Sequence, residues 1–141
     1  MPEYNSDRIK QIIGEINTSL KKLEKIKDLK ENYFLSNSEK IDSAKYNLIV
    51  VTEGVIDIGN HIIAKEKARV PADYAETFDI LVEIGLIPEN LGENLKKMAK
   101  FRNLLVHLYW KIDDRKILQI TKENLVDIKS FLNILLSYLN K

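Results

Sequence analysis

The chain reads as an all-α protein, an up-and-down four-helix bundle with a short extra helix in its crossover. Three observations carry that reading. Apolar residues recur at spacings of three and four in long runs. No stretch alternates apolar with polar residues between turn signals, and the β-branched residues fall inside helical periods. Only five glycines and three prolines punctuate 141 residues. That length suits one domain spanning residues 1–141.

The first helix starts at Ser6, a capping side chain, and runs over roughly residues 6 to 31 with Ile9, Ile12, Ile13, Ile16, Leu20, Leu23 and Ile26 on one face. Its opposite face carries Lys10, Glu15, Lys21, Lys22, Lys25 and Lys27 and is expected to be solvated. After the break at Ser36-Asn37-Ser38, a second helix runs from Ser38 to about Lys67 on the stripe Ile41, Ala44, Leu48, Val51, Val55, Ile58 and Ile62. Pro71 ends that stretch, because proline lacks a donor and disfavours helix in the residue before it.

A short helix from Asp73 to Glu83 follows, with Gly85 as a left-handed C-cap. Pro88 then opens a helix, as an early residue of its first turn, on Leu91, Leu95, Met98, Phe101, Leu105 and Leu108. Asp113-Asp114 breaks the chain again. Thr121 begins the last helix, which buries Leu125, Ile128, Phe131, Leu132, Leu135 and Leu139.

Composition narrows the function. There is no cysteine, which excludes a disulfide framework, a thiolate metal site and a cysteine nucleophile, and fits a reducing cytoplasm. Met1 to Asn5 carry no signal-peptide pattern, and no run approaches the eighteen or so uninterrupted apolar residues of a membrane span. A cytoplasmic protein without a membrane partner is expected. Lys plus Arg number 22 against 21 Asp plus Glu, a net charge of +1, so no global field draws nucleic acid to the chain. Any such contact needs a local patch, for which Lys96, Lys97, Lys100, Lys111, Arg115 and Lys116 are candidates.

Chemistry concentrates in the run Arg102-Asn103-Leu104-Leu105-Val106-His107-Leu108-Tyr109. A guanidinium forks onto phosphate oxygens, and an imidazole exchanges protons near neutrality. On a continuous helix Arg102 and Tyr109 lie about 20° apart at the border of the apolar stripe, whereas His107 falls about 140° from Arg102. One chain then cannot close a site around all three. Either the helix loosens near Tyr109, or a second protomer brings its own motif opposite the first. The outer strip Asn103, Val106, His107 and Trp110 suits such a two-fold interface.

On the second helix Glu53, Asp57 and His61 follow at four-residue spacing, with Val50 and Gly54 sharing their outer strip. Asp57 and His61 are read as lining or bracing the site. The alternative is a plain surface carboxylate–histidine pair, and the spacing is too unspecific to assign a metal.

The pattern arginine, four residues, histidine, one residue, tyrosine, seen as Arg102, His107 and Tyr109, resembles the signature of HEPN-domain proteins and more narrowly that of the HepT-like toxin family. Phe101 to Trp110 and Asp57 to Ile63 carry the likeness, which extends over most of the chain. The resemblance implies an all-α homodimer with the two motifs facing in a cleft. It implies a metal-independent endoribonuclease with no cofactor, in which the RNA 2′-hydroxyl attacks the adjacent phosphate. His107 would exchange protons, Arg102 would stabilise charge on the phosphorane, and Asn103 would orient phosphate or His107. A nucleotidyltransferase antitoxin is the implied partner, and Tyr109 the implied acceptor of AMP. Two other readings use the same residues: a non-catalytic module that docks the nucleotidyltransferase and binds nucleotide or RNA, and a purely structural bundle.

Overall fold

A computed structural model describes residues 6–140; the expectation made for Met1 to Asn5 lies outside them. Among the described residues the chain forms six α-helices and no strand: α1 (Ser6–Lys27), α2 (Glu31–Leu35), α3 (Ser38–Lys65), α4 (Tyr74–Glu83), α5 (Glu89–His107) and α6 (Asp114–Leu139). A 3-10 turn over Tyr109–Lys111 separates α5 from α6. The long helices α1, α3, α5 and α6 make the expected bundle, and α4 packs across α3 and α5.

Burial explains why α3 is central. It packs against α1, α4, α5 and α6, and buries Val51, Thr52, Val55, Ile56, Ile58 and Gly59 within nine consecutive positions. By length and composition it is also apolar enough to cross a membrane, yet 56% of that window is buried inside the bundle. Phe34, Phe78 and Phe131 are almost completely buried and fill the spaces between helices. Each contributes about 1.5–3 kcal/mol of transfer free energy.

Four local expectations are corrected. First, α1 stops at Lys27 rather than near residue 31, and the unforeseen α2 follows. Residues 28 to 30 contain neither glycine nor proline, but tertiary contacts interrupt the helix there: the Lys122 ammonium donates to the carbonyls of Lys27 at 3.0 Å and Leu29 at 3.4 Å, and the turn lets Phe34 reach the core.

Second, α6 begins at Asp114, seven residues before Thr121. The paired aspartates are a start signal: Asp113 is the N-cap, its carboxylate accepting the Arg115 N–H at 2.9 Å. Thr121 is instead buried mid-helix, donating its hydroxyl to the Ile117 carbonyl at 2.9 Å.

Third, Pro88 is the N-cap of α5 rather than a residue inside it, with extended ψ of 158°. Fourth, Gly54 does not belong to an outer strip. A Cβ there would stand 2.6 Å from Ile16 Cγ1, so glycine lets α1 and α3 approach closely.

The ends of α3 and α4 use one device with different residues. After α4, Gly85 takes φ +80°, with its N–H on Val82 and the Leu86 N–H on Leu81. After α3, Lys67 takes φ +56° and makes the equivalent bonds through Lys67 and Ala68. A side chain in this region costs roughly 1 kcal/mol. Lys67→Gly is therefore expected to raise the urea midpoint of unfolding, and Gly85→Ala to lower stability by about 1 kcal/mol. Opposite shifts would show that the caps do not limit stability there.

Candidate active site

Arg102 projects from α5 toward α3 with its side chain only 14% exposed. Its Nε and Nη2 donate to one oxygen of Glu53, Oε1, at 2.9 and 2.6 Å, and Nη1 donates to Asn103 Oδ1 at 2.9 Å. The guanidinium carbon stands 5.1 Å from the centre of the Tyr74 ring. Glu53, Asn103 and Tyr74 thus fix the plane of the cation. Three of its five donors are engaged, leaving one N–H on each terminal nitrogen for an incoming anion.

That cation borders an open cavity of about 330 Å³ lined by Glu53, Ile56, Asp57, Asn60, Tyr74 and Arg102. Three helices supply the walls, so their packing sets the geometry. Asn60 Oδ1 accepts from the Thr77 hydroxyl at 2.9 Å, tying α3 to α4 one turn from Tyr74. Of the supporting residues read from the sequence, Asp57 lines this cavity and His61 does not. The His61 Nδ1 lies 2.8 Å from the Asp57 carbonyl and 3.2 Å from its carboxylate, so it braces Asp57. Arg8 approaches the same carboxylate at 3.7 Å. No group of three or more potential metal ligands occurs among the described residues.

His107 is the last residue of α5 and is exposed. The helix is continuous from Arg102 to His107, so the separation of about 140° holds. Leu108 then leaves helical geometry at φ −136° and ψ 38°. The helix does loosen, but one residue too late to redirect His107. It redirects Tyr109 instead: Tyr109 sits in the 3-10 turn, so the helical angle that set it beside Arg102 does not apply. Tyr109 and Trp110 are 59% and 65% exposed, their rings edge to face at 5.4 Å. Leu104 and Val106 add exposed apolar surface beside them.

The cations flanking the motif separate into two groups. Lys96 pairs with Asp79 at 3.0 Å, and this partner raises its pKa and keeps it charged. Arg115 is held by Glu31 at 3.2 Å. Lys97, Lys100 and Lys116 make no ion pair with the described residues. Sequence reasoning missed Glu53 as the arginine's partner and Tyr74 as its platform. Glu53 is 49 residues from Arg102, and no periodicity links them.

The site is a semi-buried arginine beside a polar cavity, with an exposed histidine ending the same helix of an all-α bundle. The family profile for ribonuclease HepT-like proteins matches residues 16–135. The chain belongs to this family. The mRNA nuclease HepT of Shewanella oneidensis is 32% identical over 94 residues, 67% of this chain and 71% of that protein. The tRNA nuclease HepT of Aphanizomenon flos-aquae is 28% identical over 107 residues, 76% of this chain and 71% of its own. The fold matches that of the tri-AMPylated Shewanella oneidensis HEPN toxin, solved in complex with MNT antitoxin, with a TM-score of 0.86 and 27% identity, over 94% of this chain and 99% of that one.

Proposed function

We propose that this chain is a cytoplasmic toxin of a toxin–antitoxin pair, an endoribonuclease that works as a homodimer, needs no metal, and is silenced by transfer of AMP to Tyr109. The observation that carries the chemistry is Arg102, oriented by Glu53, Asn103 and Tyr74 with two N–H groups still free. The nuclease names of the HepT relatives support the substrate class. The AMP-bearing toxin bound to its antitoxin supports the partner and the switch.

In this reaction the RNA 2′-oxygen attacks the adjacent phosphorus and the bond to the 5′-oxygen breaks, giving a 2′,3′-cyclic phosphate and a 5′-hydroxyl. One proton leaves the 2′-hydroxyl and one reaches the 5′-oxygen; histidine can serve in either role near neutral pH. Arg102 stabilises the charge that grows on the phosphorane oxygens, and Asn103 keeps the guanidinium aimed. Asp57, braced by His61, shapes the cavity wall beside it. A two-fold pairing through the exposed ends of α5 brings the His107 of one chain toward the Arg102 of the other. The exposed apolar side chains Val106 and Trp110 suit that contact.

The test is direct. Purified protein incubated with RNA in excess EDTA is expected to yield fragments ending in 2′,3′-cyclic phosphate, read by mass spectrometry. Cleavage only on addition of a divalent ion, or products with a plain 3′-hydroxyl, would reject the mechanism. One observation favours a second reading, a binding module without nuclease activity: Glu53 already occupies one edge of Arg102. RNA binding lost in Arg102→Ala, with no cleavage by wild type, would select it.

A further inference from the structure

Away from the Arg102 cavity, on the other side of α5, a second groove runs between α5 and α6, with a volume of about 470 Å³. That size lies within the roughly 300–1,000 Å³ of small-molecule sites. Its floor is apolar: Met98 and Ile120 lie at the base, with Phe101 partly buried and Leu104 44% exposed. Its rim is cationic: Lys97, Lys100 and Lys116 all line it. None has a carboxylate partner among the described residues, although Lys96 beside them has two.

The placement of these lysines has no local structural benefit. Lys97 and Lys100 are like charges at i and i+3 on one helix, which is mildly unfavourable. Lys116 lies in the first turn of α6, where the helix dipole disfavours a cation. The groove therefore concentrates positive potential over an apolar floor.

The polar residues at the far end complete the pattern. Asn94 and Asn124 both donate through Nδ2 to the buried Asp127 carboxylate, at 3.2 and 3.1 Å. Their carbonyl oxygens remain as acceptors. The one carboxylate in the lining, Glu123, is engaged by Gln119 at 3.4 Å. An apolar floor with acceptors at its edge suits a nucleobase carrying an exocyclic amino group, while the lysines suit the phosphates on either side.

We propose that the α5/α6 groove is a subsite for a nucleotide of single-stranded RNA outside the cleaved step. The choice of RNA as ligand rests on the ribonuclease reading above; the groove and its charge do not. Phe101 and Arg102 are consecutive on α5, so a strand leaving the Arg102 cavity crosses the helix to reach the groove. The subsite would then set affinity for long RNA and leave the chemical step alone.

The experiment measures binding of a fluorescent, non-cleavable 2′-O-methyl RNA dodecamer by anisotropy across a salt series. The variant Lys97→Ala/Lys100→Ala/Lys116→Ala is expected to raise Kd about tenfold or more at low salt and to flatten the log Kd–log salt slope by about 2. Leu104→Glu should weaken binding similarly. A control losing equal charge, Lys10→Ala/Lys22→Ala/Lys25→Ala on α1, should change Kd little. Cleavage of a dinucleotide should keep its kcat in the triple-lysine variant. Equal Kd for wild type and groove variants overturns the subsite. So does loss of nucleotidyltransferase binding with RNA affinity retained, which would make the groove a protein-docking face. Absence of cleavage by wild type sinks the ribonuclease reading instead, and the binding series still decides the groove.

Discussion

His107→Ala is expected to fold like wild type and to cut RNA about 10²–10⁴-fold more slowly, the usual contribution of a general acid or base. Folding should survive because the imidazole is exposed at the end of α5 and has no hydrogen bond with the described residues. Its unfolding free energy, from urea denaturation, should stay within about 0.5 kcal/mol of wild type. Arg102→Ala should lose about 10²–10³-fold, the effect of removing a single donor to a developing oxyanion. Arg102→Lys should recover little, since an ammonium cannot span Glu53, Asn103 and phosphate in one plane.

Mixing the two inactive proteins separates a composite site from a one-chain site. A dimer of Arg102→Ala with His107→Ala still holds one intact arginine and one intact histidine, on different chains. Activity should reappear on mixing if they work across the interface. No recovery, with heterodimer confirmed by native mass spectrometry, would show that the pair acts within one chain.

The bundle was readable because its signals are local. The spacing from Ile9 to Ile26, the stripe from Ile41 to Ile62 and the punctuation at Pro71 and Gly85 each lie within one element, and the structure has helices where they indicate. The errors occur where distant residues decide. Lys122 helps end α1 from 95 residues away, where neither glycine nor proline marks the stop. Asp113 reads as a break by composition but serves as a cap, because the apolar face of α6 already starts at Ile117 and Leu118.

The candidate site divides in the same way. Arg102 and His107 stand out by residue type and spacing, and the angle between them follows from helix geometry alone. Glu53 and Tyr74, which orient the arginine, come from α3 and α4 through packing that no period encodes. Tyr109 looked like a neighbour of Arg102 only while α5 was continued through Leu108. The backbone at Leu108 removes that edge and changes how a modification there would act.

Incubated with the nucleotidyltransferase of the proposed pair and ATP, the wild-type chain is expected to gain one or more AMP increments and stop cutting RNA, whereas Tyr109→Phe should gain none at that position and stay active. The phenol oxygen attacks the α-phosphorus of ATP, pyrophosphate leaves, and the phenolic proton is released to solvent. Tyr109 is suited to this because the 3-10 turn lifts it clear of α5 and leaves it 59% exposed, within reach of another enzyme's active site. Since Tyr109 shares no helix edge with Arg102, silencing would come from filling the cleft between protomers with adenosine and a phosphodiester charge, rather than from pairing with the arginine of its own chain. The consequence is measurable: modification should raise Kd for the non-cleavable RNA even in an Arg102→Ala dimer. Unchanged RNA affinity on AMP transfer in that variant would return the switch to Arg102, and an unmodified mass for wild type would remove Tyr109 from regulation altogether.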